Sequence, residues 1–87
     1  MGKYKILIKP SAIKEIEAIP FQTDRQRIIG RIQTLAGNPR PSGCEKLSGH
    51  DDKYRVRQGR YRIIYSIEDL HLVVCVVKVG HRKDVYR

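Results

Sequence analysis

Apolar and polar positions at the start of the chain follow two different periods. Over residues 4–9 a large apolar side chain occupies every second position, which predicts a partly buried strand. Pro10 ends that strand, and Ser11 is placed to cap the N-terminus of a short helix. Apolar residues then recur at helical spacing as far as Ile19, and Pro20 ends this predicted helix.

A second amphipathic helix is predicted to follow directly. Thr23 and Gln26 have the spacing of a capping box. Five apolar residues then recur at helical spacing: Ile28, Ile29, Ile32, Leu35 and Ala36. Residues 37–39 (Gly-Asn-Pro) are a typical end of a helix. Two helices joined by a short turn are therefore predicted in the first half of the chain.

The second half of the chain has the period of strands. Residues 54–57 and 60–67 alternate around a predicted hairpin turn at Gln58-Gly59. After a weaker turn signal, residues 70–79 are rich in valine and apolar on both faces, as in a central strand. We therefore predict an α+β fold: an N-terminal strand and a two-helix hairpin precede an antiparallel meander, and the helices pack on one face of a single small sheet. The pattern leaves open where the first strand joins that sheet.

Length and charge narrow the class of protein. The 87 residues predict a single domain over residues 1–87. Lys and Arg number 18 against 9 Asp and Glu, a formal charge of +9 that favours a polyanionic partner. We find no apolar stretch of the roughly 18 residues that would cross a bilayer, and no signal peptide. Cys44 and Cys75 lie far apart without a CxxC motif, which indicates reduced thiols in a cytoplasmic protein.

Basic residues concentrate on the predicted hairpin. Lys53, Arg55, Arg57, Arg60 and Arg62 occur there with no acidic residue between them. Because successive strand residues point to opposite faces, the four arginines can share one face while the apolar face meets the helices. Like charges on adjacent strands repel, and guanidinium groups match phosphate oxygens, so this face favours a phosphate-bearing ligand over a merely solvated surface. RNA, DNA and an acidic protein segment each remain possible ligands.

The C-terminal residues 80–87 form a second basic cluster directly after the last predicted strand. His81 can titrate near neutral pH, although a lone histidine is more often an ordinary surface residue. Tyr86 can equally be a packing anchor for the tail. No set of side chains indicates a metal or another cofactor; His50, which precedes two aspartates, is better explained by a surface turn.

Three strings of this sequence resemble the RelE/ParE toxin superfamily, and more narrowly the RelE-type messenger-RNA interferases. They are residues 46–49 (KLSG), 54–65 (YRVRQGRYRIIY) and 79–86 (VGHRKDVY). The resemblance covers nearly the whole chain, including the order of its predicted elements. It implies an endoribonuclease that cleaves mRNA in the ribosomal A site. In that reaction the 2′-hydroxyl attacks the adjacent phosphate, without a metal or other cofactor.

The resemblance also implies site residues. The positions that match the family's catalytic residues are Arg55, Arg57, Arg62, Arg82 and Tyr86. The further residues that we predict to bind RNA are Lys53, Arg60, His81 and Lys83. Well-known relatives have lysines at the positions of Arg55 and Arg57. Arginine stays protonated, so these two would clamp phosphate and not accept a proton. The general base then stays open between Tyr86, His81 and the surroundings of the RNA on the ribosome.

Two other functions are compatible with the same strings. A ParE-like inhibitor of DNA gyrase, without nuclease activity, shares the fold and much of the arginine pattern. A silent relative that only binds nucleic acid or its antitoxin is the third hypothesis. Either toxin function implies an antitoxin as partner, expected here to be RelB-like, with an acidic segment folding over the basic face. The other expected partner is the ribosome with mRNA in its A site; DNA is expected to be contacted only through the antitoxin complex, and no membrane is expected.

Overall fold

The computed structural model describes residues 3–49 and 52–81. The elements in chain order are β1 (Lys5–Ile8), α1 (Pro10–Glu17), α2 (Gln22–Thr34), β2 (Glu45–Lys46), β3 (Lys53–Gln58), β4 (Tyr61–Glu68) and β5 (Val73–His81). Within these ranges the strands form one five-stranded sheet in the order β1-β5-β4-β3-β2. The predicted α+β fold is confirmed, with a strand, two helices and then an antiparallel meander. Neither described helix is long and apolar enough to cross a membrane.

The core lies between the two helices and one face of the sheet. Buried side chains of both helices, of the residues just after them and of the three meander strands belong to a single cluster: Ala12, Ile16, Ile19, Ile28, Ile32, Leu35, Val56, Ile63, Tyr65, Ile67, Val74, Val76 and Val79. The alternation along β3 and β4 puts every second residue into this cluster, as the period-two pattern predicts. The opposite face of the sheet is therefore left for the intervening residues.

The first strand joins the sheet at an edge, beside the last strand. β1 pairs with β5 in parallel, from Lys5 opposite Val73 to Ile8 opposite Val76. β5 thus lies between β1 and β4, which explains the apolar character of both its faces. β5 continues past the end of β1, and there Glu15 of α1 accepts a hydrogen bond from the backbone N–H of Val79 at 2.9 Å. The Glu15 carboxylate thus accepts a backbone hydrogen bond that a neighbouring strand would otherwise accept.

Both predicted helix starts are wrong by a few residues. α1 begins at Pro10 with Lys9 as its N-cap, so Ser11 lies inside the first turn. Proline suits that first position because its fixed φ is helical and it has no N–H to satisfy. α2 has Phe21 as its N-cap, with no side-chain hydrogen bond to cap it, so the capping box that begins at Thr23 does not form. Thr23 is already helical, and an N-cap must have extended backbone.

Two strand predictions also need correction. β5 runs over Val73–His81 and not over 70–79, because the chain turns at Leu72, whose φ is 55°. The two-residue strand β2 was not predicted, since two residues are too few to show a period. It pairs antiparallel with β3, with Glu45 opposite Arg55.

A polar network ties the edge of the sheet to the loop before β2. Asp69 accepts hydrogen bonds from Arg40 Nη1 and Nη2, at 3.1 and 2.8 Å, and from the Tyr4 hydroxyl at 2.6 Å. The Arg40 guanidinium also lies over the ring of Tyr54, 5.1 Å from its centroid. The hydrogen bonds from Arg40 and then from Tyr4 lower the pKa of Asp69 from 3.8 to about 2. The network therefore joins four segments that are distant in the sequence.

The lowered pKa of Asp69 predicts a pH dependence of folding stability. A depressed carboxyl pKa stabilises the folded state above the unfolded value of 3.8, and this contribution disappears as the pH falls through about 2. We expect wild type to have a higher urea midpoint than Asp69→Asn at about pH 5, and the difference to shrink towards pH 2. Added salt should reduce this difference in urea midpoint, because the Asp69 side chain is 55% exposed. A difference that is the same at every pH would contradict this role of Asp69.

Candidate functional site

Three arginines project from the sheet face that the helices leave uncovered. In the β3–β4 register, Arg57 lies opposite Arg62, and Arg55 lies opposite Ile64. The intervening pair, Val56 and Ile63, is buried in the core. Because the pleat alternates, the arginines point to the other face. The predicted orientation of these three side chains is confirmed.

The three arginines surround a small depression. Its volume is about 100 Å³, and its lining consists of Gly43, Glu45, Arg55, Val56, Arg57 and Arg62. Side chains directly opposite each other in a sheet have Cβ atoms about 4.5–5.5 Å apart, so the charges of Arg57 and Arg62 repel. The depression is smaller than the roughly 300–1,000 Å³ of pockets that enclose whole ligands. Its size and charge match a single anionic group such as one phosphate.

A carboxylate at the rim of the depression was missed in the sequence analysis. Glu45 Oε1 accepts hydrogen bonds from Arg55 Nε and forms an ion pair with Arg55 Nη2, both at 3.0 Å. The Glu45 side chain is 62% exposed and that of Arg55 only 23%. The arginine cluster is therefore not free of acids, although residues 53–62 contain none. Only the pairing of β2 with β3 would have identified Glu45. A two-residue strand has no periodic pattern, so this pairing cannot be predicted from the sequence.

Arg60 does not share the face of the other arginines, and that prediction is wrong. The hairpin turns at Gly59 and Arg60, with Gln58 paired to Tyr61 across the turn. Gly59 has a φ of 61°, which favours glycine at the first position of such a two-residue turn. Arg60 therefore leaves the strand alternation and lines a groove on the helix side of the sheet.

Lys53 and His81 are also separated from the depression. Lys53 begins β3, opposite Ser66, and alternation places it on the open face but away from the hairpin turn. His81 ends β5 opposite Tyr61, and the two rings meet edge to face with centroids 5.9 Å apart. His81 lines the same groove as Arg60. The predicted site residues Arg82, Lys83 and Tyr86, and the turn residues His50 and Asp51, lie outside the described residues.

Chemically, the depression combines phosphate binding with a proton acceptor. Three guanidinium groups can share the charge of a phosphate and of the more highly charged phosphorane that forms from it. Arginine does not give up its proton, so none of the three can act as a base. The Glu45 carboxylate beside Arg55 can accept a proton from a hydroxyl bound next to the phosphate.

Comparisons with known proteins agree with this fold. The model of the ParE toxin family, from the type II toxin–antitoxin system parDE, matches residues 6–86. A RelE-like toxin protein of Escherichia coli is 30% identical over 89 residues, covering 97% of this chain and 90% of that protein. Among solved structures, a chain of the archaeal RelE–RelB complex from Pyrococcus horikoshii OT3 is 28% identical with a TM-score of 0.82, covering 94% of this chain and 98% of its own. A chain of the intact Escherichia coli RelBE toxin–antitoxin complex is 28% identical with a TM-score of 0.77, covering 90% and 95%.

The chain therefore belongs to the ParE toxin family of type II toxin–antitoxin systems, within the RelE/ParE superfamily. The similar protein and the two similar structures carry the RelE name, so within the superfamily the similarity is to RelE toxins. The recognition made from the sequence strings is confirmed.

Proposed function

We propose that this chain is a ribosome-dependent mRNA endonuclease that inhibits translation by cutting mRNA in the A site. The observation that carries the proposal is the depression in which Arg55, Arg57 and Arg62 surround one phosphate-sized space. Similarity to RelE toxins over nearly the whole chain supports it. A target on translating ribosomes requires the toxin to act in the cytoplasm.

In the proposed reaction the scissile phosphate lies in the depression. The 2′-oxygen of the preceding ribose attacks phosphorus as its proton is removed, and the bond from phosphorus to the 5′-oxygen breaks as that oxygen takes up a proton. The products are a 2′,3′-cyclic phosphate and a 5′-hydroxyl. Arg57 and Arg62, which flank the space from two strands, stabilise the negative charge on the phosphorane oxygens. Arg82, which follows β5 in the sequence, is proposed to add a further phosphate contact.

The same reaction needs a proton acceptor and a proton donor. We assign the acceptor role to Glu45, because its carboxylate lies at the rim of the depression and is held by Arg55. When a phosphate approaches Arg55, it competes with Glu45 for the guanidinium and releases the carboxylate to accept the 2′-hydroxyl proton. With Glu45 as the acceptor, we propose Tyr86 as the donor to the leaving 5′-oxygen. Lys53, His81 and Lys83 are proposed to contact RNA outside the cleaved linkage.

The proposed protein partner is a RelB-like antitoxin. The similar structures from Pyrococcus horikoshii OT3 and Escherichia coli are toxin–antitoxin complexes. The charge of +9 and the basic open face favour an antitoxin with an acidic segment. DNA is proposed to be contacted only through that complex.

A second candidate function is inhibition of DNA gyrase without RNA cleavage. The specific observation in its favour is that the matching family model bears the ParE name. In this function the arginine face would bind a protein or DNA surface and Glu45 would have no chemical role. The two functions differ in whether mRNA is cut, so one experiment separates them.

The experiment is cleavage of a defined mRNA on purified ribosomes, followed by primer extension. Wild type is expected to cut within the A-site codon, and only when the ribosome holds the message there. Arg57→Ala should reduce the cut products, whereas Lys14→Ala, which removes one positive charge from α1, should not. Intact message together with inhibited gyrase supercoiling would overturn the nuclease proposal in favour of the second function.

A further inference from the structure

A second concavity lies on the helix side of the sheet, at the tip of the β3–β4 hairpin. Its volume is about 620 Å³, within the range of pockets that hold a whole ligand. Phe21 and Arg27 reach it from α2, Arg60 and Tyr61 from the hairpin, and His81 from the end of β5. We call this concavity the tip groove. The proposed reaction does not use it.

Aromatic side chains line the tip groove without filling the core. Phe21 is 67% exposed at the N-cap of α2. Across the groove Tyr61 packs edge to face on His81, with ring centroids 5.9 Å apart. A half-buried Tyr61 and an exposed Phe21 thus present ring surfaces to the same space. Such surfaces are suited to stacking against another planar group.

The charge of the tip groove favours an anion that carries such a planar group. Arg27 and Arg60 are both exposed and lie on its two sides, on α2 and on the hairpin turn. Asp24 is the acidic residue of the lining and is half-buried in the first turn of α2, where it complements the helix N-terminus. Exposed arginines around aromatic rings are the combination that binds single-stranded nucleic acid, through phosphate and base respectively. A nucleotide brings a phosphate and a planar base together, so it would use the arginines and the rings at once.

The tip groove and the depression that the three arginines line are on opposite faces of the same hairpin. Tyr61 and Arg62 are neighbours on β4 and point to opposite faces of the sheet, one into the groove and one into the depression. Arg60 is in the turn between β3 and β4, at the hairpin edge that separates the depression from the tip groove. A strand of RNA with its phosphate in the depression can therefore pass over the hairpin tip into the groove.

We propose that the tip groove binds a nucleotide flanking the cut, with its base stacked on Phe21 and its phosphates held by Arg27 and Arg60. The proposal rests on the RNA-cleaving function proposed above and adds a substrate-binding subsite to it. It assigns binding roles to Phe21 and Arg27, which no sequence string singles out. It also explains why Arg60 and His81 lie away from the other predicted site residues.

The test compares two RNAs that differ only in their bases. The full chain is titrated with a fluorescein-labelled single-stranded RNA carrying 2′-O-methyl groups, which prevent cleavage, and with the same RNA made abasic at its central positions. Fluorescence anisotropy gives both affinities. Both titrations use the same salt concentration, because phosphate contacts depend strongly on salt. Wild type is expected to prefer the RNA with bases by about fivefold or more, the factor that one stacked base contributes.

Substitutions in the tip groove test whether the preference for RNA with bases arises there. Phe21→Ser should abolish the preference without weakening binding of the abasic RNA, and Phe21→Trp should retain it because indole also stacks. Arg27→Ala should weaken both RNAs alike, by about three- to tenfold. Ile13→Ser is the control: Ile13 is an exposed apolar residue of α1 outside the groove, so neither affinity should change. Because Phe21 is largely exposed, its variants are expected to melt close to wild type.

Several outcomes would overturn the proposal. They are equal binding of both RNAs by wild type, binding of neither RNA, and a base preference that survives in Phe21→Ser. Loss of binding to an acidic peptide in Phe21→Ser, with RNA affinities unchanged, would show a protein site instead. If the protein cleaves mRNA on ribosomes but shows no preference for RNA with bases, only the proposed role of the groove is rejected. If it shows the preference but cleaves no mRNA, the proposed nuclease function is rejected and the groove remains an RNA-binding site.

Discussion

Arg62→Ala is expected to lower the rate of A-site cleavage by about 10²–10³-fold. That is the usual cost of removing one group that stabilises developing negative charge in a transition state. Arg62 lies opposite Arg57 on the neighbouring strand and lines the phosphate-sized depression with it. The two guanidinium groups can act on different oxygens of the same phosphorane. The rate should be measured in single turnover on ribosomes that hold a defined codon.

The fold should survive this substitution. Arg62 is on the open face, away from the core, and its removal relieves the repulsion from Arg57. We expect the free energy of unfolding to change by no more than about 1 kcal/mol in chemical denaturation. Arg62→Lys should recover part of the rate because it keeps the charge but not the planar fork. A folded Arg62→Ala that cleaves like wild type would remove Arg62 from the site.

Glu45→Gln is expected to lower the maximal cleavage rate by about 10²-fold or more. A positioned general base contributes about 10²–10⁴-fold, and the amide cannot accept the proton. RNA affinity should not fall and should rise slightly, because the substitution removes a negative charge that pairs with Arg55 at 3.0 Å. A lower maximal rate together with undiminished RNA affinity is the result expected when a proton acceptor is lost.

This combination of effects distinguishes a base from a structural ion pair. If Glu45 served only to hold Arg55, its loss would change RNA affinity and cleavage rate together. The control for the loss of one negative charge is Glu17→Gln, which replaces an exposed glutamate of α1. A Glu45→Gln variant with a wild-type rate would return the general base to Tyr86 or to the surroundings of the RNA on the ribosome.

The arginine face could be predicted because strand alternation is local. Val56 and Ile63 are buried, so Arg55, Arg57 and Arg62 must point the other way wherever the sheet lies. The same argument failed for Arg60, because it placed the turn one residue too early, at Gln58-Gly59, and so made Arg60 the first residue of the next strand. Gly59 at positive φ begins a two-residue turn there, and a turn residue has no sheet face to share.

Glu45 and Phe21 could not be recognised as site residues from the sequence. Glu45 reaches Arg55 because a two-residue strand pairs with β3, and so short a segment has no period. Phe21 lies near Tyr61 and His81 only because α2 packs on the sheet beside the hairpin tip. Each of these contacts joins residues that are at least ten positions apart, and local patterns do not determine which distant segments meet.

The amino-acid sequence by itself determined the class of fold, the superfamily and the orientation of three arginines. These follow from periodicity, from charge and from short strings, all of which are properties of neighbouring residues. Tertiary structure alone decided that β1 pairs in parallel with β5, that Glu45 lies beside Arg55, and that Arg60 and His81 belong to a separate groove. The physical reason is that strand order and helix docking depend on how the whole core is buried, and no local pattern encodes that packing.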